Sequence, residues 1–280
     1  MQIENKSFDE ERALYGLSRA EIRLCTFDGP RDGESALKEA SDIQVADCHF
    51  NLRYPFWHVT NGTITNSVMT ENCRAALWYD GNITIDGCTM NGIKALRECD
   101  GVILRNTSVS SPEFIWKCRN LSLENVTIRE SEYPFFETTN LTAKNLRLNG
   151  KYSFQYVENA EICDSELETK DAFWHSKNVT VRNTLIRSEY LGWYSENLHL
   201  INCTIVGTQP FCYCTNLVLE NCTMEAADLA FEKSSVRAEI NGKIDSVKNP
   251  LSGSIVADEI GELILDDTCD ASKTAITIRS

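Results

Sequence analysis

Asn120-Leu-Ser-Leu-Glu-Asn-Val-Thr-Ile128 alternates apolar and polar residues on both sides of Asn125. Leu121, Leu123, Val126 and Ile128 are its apolar members, and the phase slips at Asn125, where two residues separate Leu123 from Val126. A period of two on each side of a slip describes two short strands meeting at a corner; a helix would need spacings of three and four. A third apolar stretch, Pro134-Phe-Phe136, precedes the next such segment at Asn140. Three short strands separated by bends therefore close one coil.

The segment recurs along the chain. Its first residue falls at Asp42, Asn61, Asn82, Gly101, Asn120, Asn140, Asn159, Asn178, Asn197 and Asn216, in steps of 19, 21, 19, 19, 20, 19, 19, 19 and 19. So short and constant a period means that each unit stacks on the one before it. Leucine-rich repeats have a similar length but need a regular Leu-x-x-Leu-x-Leu frame and a helical back half, and neither is present. The expectation is an all-β fold, a right-handed parallel β-helix of about 11–13 coils, the hand following from that of parallel crossovers. Residues 1–280 are read as one domain: a helical cap over 1–18, regular coils over 19–245, and a terminal coil and cap over 246–280.

Aligning the coils turns positions into columns. One corner column reads Asp47, Asn66, Gly87, Asn106, Asn125, Asn145, Asp164, Asn183, Asn202, Asn221 and Asn241. With coils about 4.8 Å apart, its amides can hydrogen-bond upward and downward as an asparagine ladder. The position after it (Cys48, Ser67, Cys88, Thr107, Val126, Leu146, Ser165, Thr184, Cys203, Cys222) is small and is read as a packed interior wall. Ser7-Phe-Asp-Glu10 is a capping-box pattern and predicts a short helix over 11–15, with a helical detour over 34–40. Beyond Asn241 the repeat degrades, and 260–265 and 274–278 read as strands of an irregular cap.

The 280 residues carry 41 acidic and 27 basic side chains, a net charge of −14 that repels phosphate backbones and anionic membranes. Neither nucleic acid nor a membrane is expected as a partner, and no apolar run approaches a membrane span. The opening Met-Gln-Ile-Glu-Asn-Lys lacks an apolar export segment, so the reading is cytoplasmic, with free thiols. Cys203 with Cys222, and Cys99 with Cys118, stand one coil apart, a spacing that permits a disulfide without requiring one. Cys212-Tyr-Cys214 is too short for Cys-x-x-Cys metal spacing, so neither metal nor cofactor is expected. The Asn-x-Ser/Thr triplets follow from an Asn corner beside β-branched strand residues.

Three columns precede each coil start. The first (Phe56, Leu77, Leu96, Ile115, Phe135, Phe154, Phe173, Gly192, Phe211) is never charged and points inward. The second holds all five tryptophans: Trp57, Trp78, Arg97, Trp116, Phe136, Gln155, Trp174, Trp193, Cys212. The third reads His58, Tyr79, Glu98, Lys117, Glu137, Tyr156, His175, Tyr194, Tyr213. An unpaired Arg is a poor interior residue, so part of the tryptophan stripe belongs outside or at a corner. Two readings stand side by side: rings stacked as a stabilising ladder, or a flat strip that takes sugar rings face-on or docks a protein. Trp57, His58, Trp78, Tyr79, Trp116, Trp174, His175, Trp193 and Tyr194 are the candidate ligand-binding residues. Arg97, Glu98, Lys117 and Glu137 are the candidate catalytic group, weighed against a simple salt-bridge ladder. Two carboxylates two coils apart stand about 10 Å apart, at the wide end for an inverting glycosidase. His58 and His175, six coils apart, cannot share a metal or a substrate atom.

The repeat resembles the right-handed parallel β-helices of the pectin-lyase-like superfamily. Tyr54-Pro-Phe-Trp-His58, Ala172-Phe-Trp-His175 and Asn197-Leu-His-Leu-Ile-Asn-Cys-Thr204 resemble, over nearly the whole chain, the bacterial DUF3737 family, whose activity is not established. The superfamily's pectate lyases, polygalacturonases and pectin methylesterases imply carbohydrate chemistry. Their signatures Asn-Thr-Asp, Gly-His-Gly and Arg-Ile-Lys are missing, and the lone Asp-Asp pair, Asp266-Asp267, falls in the terminal cap. The short steps also leave little loop from which to build a cleft. The expectation is a binding or scaffold protein whose aromatic face meets a carbohydrate or protein partner. A carbohydrate-active enzyme, lyase or hydrolase, around Arg97–Glu137 is the alternative. A solenoid that polymerises end to end is a third reading, against which the expected caps count.

Overall fold

The computed structural model describes residues 1–29 and 33–279. The fold is an all-β parallel β-solenoid of about 14 turns. It forms two compact units, Met1–Thr142 and Ala143–Ser280, built from the same coil.

In the first unit each coil opens with a six-residue strand: Ser18–Arg23, Ser41–Ala46, Thr60–Thr65, Gly81–Asp86, Asp100–Arg105 and Arg119–Glu124. These strands pair in parallel and in register, Val45 with Ile64, Ile64 with Ile85, Ile85 with Leu104 and Leu104 with Leu123. The alternate residues read as apolar are the buried ones, so period two sets the face and the 19-residue step sets the neighbour. After the corner a short second strand adds Phe27, Phe50, Met69 and Met90 to the same core. A third flat follows in Phe56–Trp57, Leu77–Trp78 and Leu96–Arg97. The second unit repeats the plan with Glu158–Cys163, Lys177–Arg182, Glu196–Ile201 and Leu217–Glu225.

Both asparagine columns sit at left-handed corners, with φ of 48–59° at their Asn and Asp residues from Asp42 to Asn221. Asn tolerates that conformation better than other non-glycine residues. Amides along them donate to the coil before: Asn61 to Asp42 (3.0 Å), Asn125 to Asn106 (3.1 Å), Asn183 to Asp164 (3.0 Å), Asn202 to Asn183 (3.1 Å) and Asn221 to Asn202 (2.7 Å). Where Gly87 interrupts, a Cβ would sit 2.7 Å from the Asn66 Oδ1, and Asn106 turns instead to Asp86 (2.8 Å).

The small interior column is more polar than expected. Ser67 Oγ donates to its own coil at Thr65 O (2.8 Å) and accepts Cys48 N–H (3.1 Å) from the coil before. Cys48 Sγ donates likewise to Ala46 O (3.2 Å) and accepts Cys25 N–H (3.4 Å); Thr107 and Cys88 repeat the pattern. In the second unit Ser165 accepts Leu146 N–H (3.0 Å) and Thr184 accepts Ser165 N–H (3.3 Å). A thiol and a hydroxyl are interchangeable here because each has one hydrogen to give and a lone pair to receive a buried N–H. All twelve cysteines are free, and burial pushes the Cys48 thiol up to about 11.

Both expected helices are absent, and the reason lies in the backbone. Ser7–Phe8 is a strand paired with Thr26–Phe27, and Gln2–Glu4 pairs with Ser18–Arg23, so a coil already occupies the region expected to cap it. The following turn sends its N–H groups to the next coil rather than back along a helix: Arg12 to Glu34 O (3.0 Å), Leu14 to Ala36 O (2.8 Å), Gly16 to Lys38 O (2.9 Å). Residues 36–39 form the same turn, with Leu37 donating to Pro55 O (2.9 Å) and Glu39 to Trp57 O (2.8 Å). At the other end the strands continue after the sequence repeat fades, Ser252–Ala257 pairing with Thr274–Ile278 and Lys243–Lys248 with Glu259–Ile264. These coils raise the count above the expected 11–13.

Ser67→Ala removes the acceptor of a buried N–H and is expected to lower stability by about 1–3 kcal/mol. Ser67→Cys restores both partners and should lose clearly less. Urea unfolding of the two variants checks the order, and equal losses would refute the network.

Candidate functional site: an edge-on aromatic corner

The corner that precedes each long strand is built from four consecutive residues. In Phe56-Trp-His-Val59 the first and last are buried, Trp57 is half-buried and His58 is exposed; Ala172-Phe-Trp-His175-Ser176 repeats this order at its last four residues. The tryptophan column thus lies at the wall, neither in the core nor free of it. The exposed position is left-handed in both units, φ 51–59° from His58 to Glu137 and 54–60° from Tyr156 to Tyr213. Its N–H is held by the next coil, as in His58 to Trp78 O (3.0 Å), Tyr156 to Trp174 O (2.9 Å) and Tyr194 to Cys212 O (3.1 Å).

In the second unit the exposed rings form a row. Tyr156 and His175 have centroids 5.2 Å apart at 5°, His175 and Tyr194 5.0 Å at 9°, and Tyr194 and Tyr213 4.9 Å at 8°. Parallel planes one coil apart turn ring faces toward one another. The row therefore presents edges, tyrosine hydroxyls and imidazole nitrogens, and not the flat faces that face-on sugar stacking requires. Behind it Trp174 stacks near His175, and Trp193 donates Nε1–H to Gln209 O (2.8 Å). Tyr156 and Tyr213 complete this row; both stood in the aligned column, and only the ring planes show that they belong to it.

In the first unit Trp57 and Trp78 stack (5.2 Å, 10°), and His58 meets Tyr79 (5.2 Å, 34°). Lys38 Nζ lies 3.9 Å from the Trp57 centroid, Arg97 lies 5.7 Å from that of Trp78, and Trp116 Nε1–H reaches Tyr133 O (2.7 Å). The four charged candidates fall into two pairs. Arg97 Nε meets Glu98 Oε1 at 2.9 Å, and Lys117 Nζ meets Glu137 Oε2 at 3.4 Å. At Glu98 partial burial opposes ionisation, but Tyr79 and Arg97 beside it outweigh that and hold its pKa below the usual value. The same contact raises the Tyr79 hydroxyl. A glycosidic general acid needs the opposite shift. His58 belongs to the first unit, tilted against Tyr79, and His175 to the second, stacked on Tyr156.

Directly behind Tyr79 lies a residue the sequence did not flag. Asp80 is buried, and one carboxyl oxygen accepts Val59 N–H at 2.7 Å while Oδ2 has no partner among the described residues. Burial, with the Cys99 thiol beside it, pushes this carboxyl well above its ordinary range. Its column reads Val59, Asp80, Cys99, Cys118 and Thr138, and only alignment by coil reveals an acid among inward-facing residues.

Fold and surface together define a parallel β-solenoid with an aromatic lateral corner. The chain belongs to the DUF3737 family, whose model, described as a protein of unknown function, matches residues 1–278. Comparison with curated proteins finds no match. Among solved structures the chain is similar to PfbA, a surface adhesin of Streptococcus pneumoniae, at 9% identity over 82% of this chain and 83% of that one, with a TM-score of 0.50. It is also similar to the catalytic domain of a GH87 α-1,3-glucanase (10%, 100% and 64%, TM-score 0.35). A third is the A-module of the Azotobacter vinelandii mannuronan C-5 epimerase AlgE4 (9%, 100% and 90%, TM-score 0.31). Likeness at this level shows the fold alone.

Asp80 gives a pH test of the corner's support. Its folded pKa lies above its unfolded one, so the fold retains a proton the unfolded chain has lost. Stability therefore falls as pH rises above about 4, through the window up to the folded pKa. Asp80→Asn keeps the acceptor without the charge and is expected to flatten that slope and raise stability at pH 7. Urea midpoints measured from pH 4 to pH 8 check it; parallel curves for both proteins would refute a buried, protonated Asp80.

Proposed function

We propose that the protein binds an extended neutral glycan along the edge-on row Tyr156–His175–Tyr194–Tyr213. The carrying observation is chemical as well as geometric. In the second unit the left-handed residue at the two asparagine corners is Asn or Asp, whereas here it is Tyr or His, with Tyr156, Tyr194 and Tyr213 39–47% exposed. A bulky residue in that conformation costs on the order of 1 kcal/mol. Ring stacking offsets part of that cost, and the hydroxyl edges remain turned outward. Their repeat of 4.9–5.2 Å is close to the rise of an extended sugar unit, so successive sugars can meet successive edges. A chain charge of −14 favours an uncharged ligand over an acidic one.

The ionised, cation-paired state of Glu98 and the ion pair of Glu137 favour binding over acid–base catalysis at the Arg97–Glu137 cluster. The rings of Trp174 and Trp193 support the row from behind, while Trp57, His58, Trp78, Tyr79 and Trp116 form a shorter, charge-flanked patch in the first unit.

The test is affinity electrophoresis and an array of neutral α- and β-glucans, galactans and mannans. Tyr194→Phe removes one hydroxyl and is expected to weaken binding about three- to tenfold; Tyr194→Ala, which also breaks the stack, should weaken it further. Binding by Tyr194→Phe equal to wild type, or no neutral glycan retained at all, would sink the proposal.

A further inference from the structure

The second unit carries another site, on the flat formed by its long strands. Thr180, His199, Val218 and Arg237 stand in register on four neighbouring strands, the last of them Ser235–Asn241. They line a shallow concavity of about 660 Å³. Its origin is a change in the adjoining column. Asn178, Asn197 and Asn216 pass amide hydrogen bonds from coil to coil (2.8 and 2.9 Å), and then Ser235 takes the next place. The smaller side chain opens a hollow beside the last amide, and Ser235 Oγ accepts the Asn216 backbone N–H (2.8 Å).

The chemistry of the lining is unusual for so acidic a chain. Among the described residues that line the hollow there is no carboxylate; Arg237 supplies a cation and His199 an imidazole wall. The carboxylate that steadies both stands outside the lining. Glu220 Oε1 lies 3.2 Å from His199 Nε2 and 3.7 Å from an Arg237 nitrogen. His199 Nε2 is buried against that carboxylate, so the imidazole is fixed on the hollow's wall. Val218 gives an apolar floor between the two nitrogen groups, while Asn197, Asn216 and Thr180 bring amide and hydroxyl groups to the rim.

The geometry points to a binding site for a small polyhydroxylated ligand bearing one anionic group, a sugar phosphate or a sugar acid. Arg237 pairs with the anion, the His199 ring packs beside it, and the rim amides with the Thr180 hydroxyl take the remaining hydroxyls. Glu220 acts as a positioning residue that holds Arg237 and His199 in place. The site is independent of the tyrosine row.

Titration calorimetry on the full chain with glucose-6-phosphate, glucuronate, glucose and inorganic phosphate tests this. At least one of the two acids should bind roughly tenfold more tightly than both glucose and inorganic phosphate, as a charge-assisted hydrogen bond supplies. Which acid wins tells phosphate from carboxylate as the recognised group. Arg237→Ala should abolish that margin. Arg187→Ala, an exposed arginine elsewhere in the same unit, and Tyr194→Ala should each leave it within about twofold. The inference is overturned if neither acid exceeds glucose, if inorganic phosphate binds as tightly as the better acid, or if Arg187→Ala costs as much as Arg237→Ala.

Discussion

Backbone hydrogen bonding from coil to coil is the constraint on which everything else rests. A polypeptide that turns three corners every 19 residues leaves many N–H and C=O groups outside regular strands, and each would be costly if buried unpaired. Here even the corners donate along the stack: Gly16, Glu39, His58, Glu98 and Tyr194 all give their N–H to the neighbouring coil. The left-handed φ at these places follows from that demand. Local propensity yields to it, and so a good capping box at Ser7–Glu10 becomes a strand and a turn in place of a helix.

Side chains extend the same arrangement outward and inward. Outside, the Asn amides run against the corner N–H groups, giving to the coil before where the backbone gives to the next. Inside, Cys, Ser and Thr capture the N–H groups that the corner would strand. Two environments that look opposite, a solvated corner and a buried wall, are thus solved by one rule, a short side chain with a donor and an acceptor. The twelve cysteines belong mainly to this rule, which explains why Ser67 or Thr107 can stand in their column.

Much of this was legible in the sequence because period and alternation are geometric facts. A 19-residue step with apolar residues two apart names the strand faces, the corners and the columns before any coordinate is seen. Ring orientation was not legible: Tyr156, His175, Tyr194 and Tyr213 align in a column whether their faces or edges meet solvent, and only interplanar angles of 5–9° decide it. The hollow beside Val218 was hidden for a related reason. It arises from Ser235 replacing Asn, a loss of volume that weakens the pattern instead of marking it. The helices expected over 11–15 and 34–40 were read from local signals that the stack overrides. Asp80 escaped notice because its neighbours Trp78 and Tyr79 dominate the segment.

The one-way order of the amides carries an evolutionary corollary. Since each Asn looks only to its predecessor, a whole coil such as 178–196 can be copied or lost while every remaining donor finds an acceptor of the same kind. A residue lost within a strand, by contrast, would swap inward for outward along the rest of that strand. Single residues are instead absorbed in the bend before the third flat, where the 21- and 20-residue steps place theirs, between Met69 and Leu77 and between Ile128 and Phe135.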